Sequence, residues 1–200
     1  MSLNLPLIDF DNNFNHPIAG VDEVGRGTLA GPVVAAAVIL DYKNIPNGIQ
    51  DSKKISKKNR ELISKHILET SIVSIEYATS DEIDTINILK ASLLAMKRAI
   101  KKLKKKPTHI LIDGNKLPEI KNYKLKSVIK GDQKIPSISA ASIIAKVTRD
   151  KMITKLAKKF KGYKWDQNYG YGTKHHLKAI KDLGITSHHR KKFSPINKIK

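Results

Sequence analysis

Gly20-Val-Asp-Glu-Val-Gly-Arg-Gly27 is the stretch on which the reading of this 200-residue chain turns. Residues 18–23 are largely apolar and read as a strand, and a second apolar run follows at 32–40. Gly25, Gly27, Gly31 and Pro32 lie between them, so the pair reads as two strands joined by a tight turn. Asp22 and Glu23 come at the end of the first strand, and a glycine-bracketed Arg26 lies just beyond. Paired carboxylates suit a hard divalent cation, and a guanidinium suits phosphate. One octet therefore combines a candidate metal site with a grip on a nucleic-acid backbone.

Outward from the octet, strands alternate with helices. Ser56 to Leu68 reads as a helix with Ser56 as N-cap and a stripe of Leu62, Ile63 and Ile67. Ser71 to Thr79 reads as a strand. A longer helix capped by Asp84 or Thr85 follows, with Leu89, Leu93, Met96, Ile100 and Leu103 at helical spacing until Pro107. His109 to Ile112 is a short buried strand running into Asp113-Gly114, and Val128-Ile129 begins or ends another. A helix spans Ser137 to about Lys159, with Ile138, Ala141, Ala145, Val147, Met152 and Leu156 on its apolar face. The last helix runs from Thr173 to Leu183, stopped by Gly184. From about Ser187 the chain is basic and irregular. This alternation indicates a layered α/β domain.

The net charge is +20, from 38 basic and 18 acidic residues. Such an excess favours a polyanionic partner, nucleic acid or an anionic membrane. Coding bias toward Lys, Ile and Asn offers a second source, and the runs at Lys101–Lys106 and Arg190–Lys200 read as solvated surface or tail. Lysine is the default cation here; the arginines are Arg26, Arg60, Arg98, Arg149 and Arg190. Arginine at position 26 then points to a need for its planar fork. No apolar run is long enough to span a bilayer, and Met1 to Asn15 lacks the basic start of a signal peptide. Zero cysteines exclude disulfides and cysteine-bound zinc, which fits a reducing cytoplasm.

Four acidic residues stand at the ends of apolar segments: Asp22, Glu23, Asp113 and Asp132, the last in Lys-Gly-Asp after Val128-Ile129. If these strand ends converge, up to four carboxylates share one site, and their repulsion calls for cations. Mg²⁺ or Mn²⁺ fits all-oxygen ligands, and two such ions roughly 3.5–4 Å apart would clamp the attacking and leaving oxygens of a phosphodiester. The plain alternatives are a turn at Asp113-Gly114 and a surface pair at Asp22-Glu23. Gly25-Arg26-Gly27 lets backbone amides approach an oxyanion, or is an ordinary loop. Asp51-Ser52-Lys53-Lys54, just before a helix, is a second candidate phosphate contact through Lys53, or a capping turn. Tyr171, held between Gly170 and Gly172, is poorly placed for a core and well placed to stack on a sugar or base. His175, His176, His188 and His189 lack carboxylates at ligand spacing and read as solvated side chains.

The ordered set of motifs resembles ribonuclease HII, a type 2 ribonuclease H. The octet continues as Leu29-Ala-Gly-Pro-Val-Val34. Then come Asp51-Ser-Lys-Lys54, Leu111-Ile-Asp-Gly114, Lys130-Gly-Asp-Gln-Lys134, Ala140-Ala-Ser-Ile-Ile-Ala-Lys-Val-Thr-Arg-Asp150, Gly170-Tyr-Gly-Thr-Lys174 and His189-Arg190 with Phe193. The resemblance implies a ribonuclease-H-like fold, a central mixed sheet flanked by helices with a short basic C-terminal segment. It implies a catalytic domain at 18–195, a lead-in at 1–17 and a basic tail at 196–200. It implies a monomeric cytoplasmic endonuclease that cleaves the RNA strand of RNA–DNA hybrids and incises 5′ of single ribonucleotides in duplex DNA. Two Mn²⁺ or Mg²⁺ ions would serve as cofactor, and the ends left would be 5′-phosphate and 3′-hydroxyl.

By position, the resemblance makes Asp22, Glu23, Asp113 and Asp132 the metal ligands. It makes Gly25, Arg26 and Gly27 the readers of the 2′-hydroxyl, which alone separates RNA from DNA. Tyr171 would stack on the deoxyribose just 3′ of the ribonucleotide. The helical C-terminal extension of longer relatives is missing or minimal, so clamping through such a tail is not expected. Tyr169 is a second aromatic where relatives often carry a basic or small residue. Two rivals remain. Ribonuclease HIII usually carries an extra N-terminal substrate-binding domain, and only 17 residues precede Ile18 here. A non-enzymatic RNA-binding protein explains the charge but not carboxylates at apolar strand ends.

Overall fold

The computed structural model describes residues 17–49 and 55–198. Its core is a five-stranded mixed sheet in the order β3-β2-β1-β4-β5. β1 (Ile18–Val24) and β2 (Val33–Ile39) form the expected hairpin, with Asp22 opposite Ala36. β3 (Ile72–Ala78) extends it antiparallel. On the other side β4 (His109–Asp113) runs parallel to β1, and β5 (Lys124–Val128) parallel to β4. Every residue of β2 is buried, and its Ala35-Ala36-Ala37 centre lets helices approach from both faces.

Side chains alternate across a strand, and β1 uses both sides. Ala19 and Val21 face a cluster shared with α3 (Ile88–Lys101), through Ala91, Ala95, Met96, Ala99 and Ile100. The opposite face is covered by α1 (Lys57–Thr70), through Ile63 and Ile67, and by α4 (Pro136–Lys159), through Ala140, Ala141, Ile144 and Ala145. Gly20 permits this cover: a Cβ there would lie 2.1 Å from the backbone carbon of Ser137. Among the described residues no helix is long and apolar enough to cross a membrane.

Most elements match the sequence reading, including Ser56 as N-cap, which accepts from the Asn59 amide. Several details differ. Leu62 is 59% exposed, because α1 turns Ile63, Ser64 and Ile67 inward instead. The long helix proposed from Asp84 is two helices. α2 (Ser80–Ile86) starts with a capping box between Thr79 and Glu82, and α3 is capped by Asn87 in a left-handed conformation (φ 69°). Asp84 instead receives the amides of Lys191 and Lys192, at 2.8 and 3.1 Å. Val128 ends β5, leaving Ile129 exposed. A single turn, α5 (Trp165–Asn168), precedes the expected α6 (Lys174–Leu183).

The largest departure is the C-terminal part, which is not solvated tail. Leu29, Ala30, Ile153, Tyr163, Trp165, Ala179, Ile180 and Ile196 form a further apolar cluster. His176 and His189 are fully buried beside it, contrary to their reading as solvated side chains. Trp165 fills this cluster and donates from Nε1 to His176 Nε2 at 2.9 Å. Burial, with His176 nearby, pushes the His189 imidazole down to about 4 from its ordinary 6.5.

A base harder to protonate when folded makes the unfolded state the stronger proton binder between those values. Stability is therefore full above about pH 6.5 and falls as the pH drops toward 4, by about 3 kcal/mol for a gap of this size. Thermal melting of wild type and His189→Gln between pH 4 and 7 is expected to show the steeper acid loss in wild type. Equal slopes would mean that His189 protonates as readily folded as unfolded.

Candidate active site

The parallel register of β1 and β4 pairs Val21 with Ile112, so Asp22 and Asp113 follow on neighbouring strands at the same carboxyl end of the sheet. Asp22 is buried under α4, hydrogen-bonded by Ser142, and its Oδ1 accepts the Glu23 amide at 2.7 Å. Asp113 Oδ1 accepts the Gly131 amide at 2.7 Å, which fastens the one-turn 3₁₀ segment Gly131–Gln133 to the end of β4. Asp132, the next residue, is buried there, and its carbonyl accepts from Ser139 Oγ on α4.

The electrostatics of this corner are those of anions lacking enough cation. Burial pushes the Asp22 carboxyl well above the ordinary range, and Glu23 and Asp113 push it further. Burial also raises Glu23, Asp113 adds to that, and Arg26 opposes it from an ion pair of 3.2 Å. The structure thus brings Asp22, Glu23 and Asp113 within electrostatic reach of one another and sets Asp132 beside the amide that binds Asp113. Among the described residues no three acidic or histidine side chains close into a ready-made metal cage. The donor set still fits a hard cation. It is all oxygen, and positive charge would offset the burial and repulsion that raise Asp22 and Glu23.

The loop after β1 has a different foundation. Arg190 sends Nη1 to the Arg26 carbonyl at 2.8 Å, Nη2 to that of Gly25 at 2.6 Å, and Nε to that of Gly31 at 3.1 Å. Arg149 binds the carbonyls of Pro32, Ala30 and Tyr169 and the Thr28 hydroxyl, at 2.8–3.0 Å. Both guanidiniums are fully buried. Burial lowers Arg149 to about 10; burial and the charge of Arg149 lower Arg190 to about 9, so both stay charged at neutral pH. Reading the sequence assigned neither residue a task and placed Arg190 in the solvated tail. The available signal was an arginine standing where this chain otherwise writes lysine.

This foundation explains the glycines. A Cβ on Gly25 (φ +98°) would lie 2.1 Å from Arg149 Nε, and one on Gly31 (φ +86°) 2.2 Å from Ile153 Cδ1. Gly27 differs, since nothing lies within 4 Å of its missing Cβ. Arg26 is half exposed beside it, its side chain 53% accessible.

The tyrosine turn is joined to this loop. The Gly170 carbonyl accepts from the amides of Leu29 and Ala30, at 2.8 and 3.3 Å. Tyr171 follows, 42% exposed. Tyr169, unassigned from the sequence, is a bracket: its carbonyl binds Arg149, its ring lies 5.1 Å under Lys146 Nζ, and its hydroxyl is hydrogen-bonded to Lys57. Lys53 lies outside the described residues.

Comparison with known proteins points to one family. A family profile described as Ribonuclease HII matches residues 19–196. The ribonuclease HII of Pelagibacter ubique (strain HTCC1062) is 66% identical over 180 residues, 90% of this chain and 97% of that protein. A chain in the structure of the PCNA:RNase HII complex from Archaeoglobus fulgidus aligns with a TM-score of 0.77 at 26% identity, covering 89% of this chain and 95% of its own. The ribonuclease H2 of Pyrococcus horikoshii OT3 aligns with a TM-score of 0.74 at 29% identity, over 90% and 95%.

Arg190→Lys is expected to destabilise the fold by about 1–3 kcal/mol, because one ammonium cannot serve three separated carbonyls and leaves buried acceptors unpaired. Urea unfolding measures the loss, and an unchanged midpoint would mean that the guanidinium fork is dispensable.

Proposed function

This chain belongs to the ribonuclease HII family of metal-dependent endoribonucleases, which cleave RNA in RNA–DNA hybrids, and we propose that it also incises duplex DNA 5′ of single embedded ribonucleotides. The observation that carries the reading is the pairing of Asp22 and Asp113 on adjacent parallel strand ends, with Glu23 beside them and Asp132 one residue past the Asp113-bound amide. The proposed catalytic unit is residues 18–195, acting as a monomer in the cytoplasm, with 1–17 leading in; of the expected tail 196–200, Ile196 is buried in the C-terminal cluster and belongs with the unit.

Asp22, Glu23, Asp113 and Asp132 would hold two Mn²⁺ or Mg²⁺ ions, which supply activation of the attacking water and neutralisation of charge on the departing oxygen. The new bond joins water oxygen to phosphorus, the bond from phosphorus to the upstream 3′ oxygen breaks, and that oxygen leaves as a hydroxyl. The 5′-phosphate stays on the ribonucleotide. Ser142 and the Glu23 amide orient the Asp22 carboxylate, and the Gly131 amide orients that of Asp113.

Selection would rest on the loop and the tyrosine turn together. Arg190 draws the Gly25 and Arg26 carbonyls inward, while Gly27 borders open space where a ribose 2′-hydroxyl can reach backbone groups. Arg26 is exposed enough to serve a phosphate oxygen. Tyr171 would press on the next sugar and leave no room for a second 2′-hydroxyl. The bond between Gly170 and Leu29 sets the spacing of the two tests. Lys53 would add a phosphate contact.

The direct test is a DNA duplex carrying one ribonucleotide, incubated with and without Mn²⁺. A nick on the 5′ side that requires the metal is expected, and its absence would sink the reading. Asp22→Asn and Asp113→Asn are each expected to lower the rate on the order of a thousandfold, as when a group stabilising transition-state charge is lost, with no loss of melting temperature. A wild-type rate in either would remove that residue from the site. Tyr171→Ala is expected to lower single-ribonucleotide incision about tenfold or more beyond its effect on long hybrids, the worth of one aromatic stack. Equal losses on both substrates would refute the junction role.

A further inference from the structure

Tyr171 is 42% exposed, and its backbone is firmly tied. Its amide donates to the Asn168 carbonyl at 2.9 Å. Its carbonyl accepts twice, from the Thr173 amide at 2.8 Å and from His176 Nδ1 at 2.9 Å. Glycines on both sides, Gly170 with φ +82° and Gly172, would otherwise leave this peptide free to rotate.

The protons of the His176 bond can be followed from groups that only donate. Trp165 Nε1 carries a hydrogen and no lone pair to offer, so His176 Nε2 is its acceptor at 2.9 Å, and the imidazole proton lies on Nδ1, facing the Tyr171 carbonyl. The Thr186 amide is likewise only a donor, so His189 Nδ1 accepts it at 2.8 Å and the His189 proton lies on Nε2. That proton faces His176 Nε2, 3.2 Å away, where it shares the single lone pair with the shorter Trp165 bond. Each ring thus has one tautomer compatible with its neighbours. Both rings are fully buried. Burial lowers both imidazoles, which keeps the pair neutral at physiological pH and the tautomers locked.

We propose that His176 is a positioning residue for ribonucleotide selection: a relay from Thr186 through His189 and His176 holds the Tyr171 carbonyl, and with it the ring that meets the sugar. The proposal rests on the reading of Tyr171 as the junction residue. It gives the buried histidines a task beyond filling the C-terminal cluster, because their last bond ends on the residue meant to discriminate.

Three variants and two substrates test it. His176→Phe keeps the ring's bulk and removes its hydrogen bonds to Tyr171, Trp165 and His189. His176→Asn keeps a donor where Nδ1 stood. Tyr171→Ala reports whether the junction reading holds. On the single-ribonucleotide duplex, His176→Phe is expected to lower kcat/KM on the order of tenfold relative to its effect on a long hybrid, the worth of one hydrogen bond. His176→Asn is expected to restore most of that ratio. An equal effect of His176→Phe on both substrates, or no recovery in His176→Asn, would overturn the proposal while a selective Tyr171→Ala loss left the junction reading standing. If Tyr171→Ala itself is unselective, the junction reading falls and the relay's role falls with it. Nitrogen NMR of the wild-type imidazoles needs no variant to fold: a His176 proton on Nε2, in place of Nδ1, would overturn the relay directly.

Discussion

Two buried guanidiniums hold the functional end of this fold together. Arg149 and Arg190 deliver nearly all their hydrogen bonds to backbone carbonyls between Gly25 and Pro32 and at Tyr169. A loop this compact turns several carbonyls inward, where no sheet partner can reach them. Unpaired buried acceptors are costly, and a planar five-donor fork is the side chain that satisfies several at once. The loop, the tyrosine turn and the C-terminal segment thereby become one object. Neither arginine can be read as a local feature, since their partners in the glycine loop lie more than a hundred residues away in sequence.

That foundation also shapes the field at the site. At the end of β1, burial and then the neighbouring carboxylates raise the proton affinity of Asp22. Close by, under the glycine loop, two positive charges are buried with carbonyls for partners. The first arrangement calls for cations; the second offers positive potential to a polyanion without spending exposed lysines. Such an arrangement is suited to a substrate whose phosphates and divalent ions arrive together. It also recasts Gly25, which is a glycine because Arg149 lies against it, while Gly27 is the member of the motif that borders open space.

The histidines show how a bland reading and a sharp one can both miss. Four histidines in a basic segment suggested solvation, with metal binding as the alternative. His176 and His189 are instead neutral members of a hydrogen-bonded core, paired with each other and with Trp165. Their spacing of thirteen residues has no periodicity to betray it. The contact exists only because α6 and the segment after Gly184 fold onto the same cluster.

Sequence alone determined what is local. Hydrophobic periodicity marked the strands and most helices, Ser56 marked a helix start and Gly184 a helix stop, and acids following apolar runs singled out Asp22, Glu23 and Asp113 as candidates. The ordered motifs carried the family, because they preserve chemistry in chain order. The reading of Asp84 or Thr85 as the cap missed Asn87, whose backbone takes a positive φ between two helices that the apolar spacing ran together. Tertiary structure alone decided what is long-range: the register that sets Asp22 beside Asp113, the burial of Arg149 and Arg190, and the histidine pair behind Tyr171. Periodicity reports which face of an element is apolar. It carries no record of which distant carbonyl or imidazole will need a partner once that face is buried.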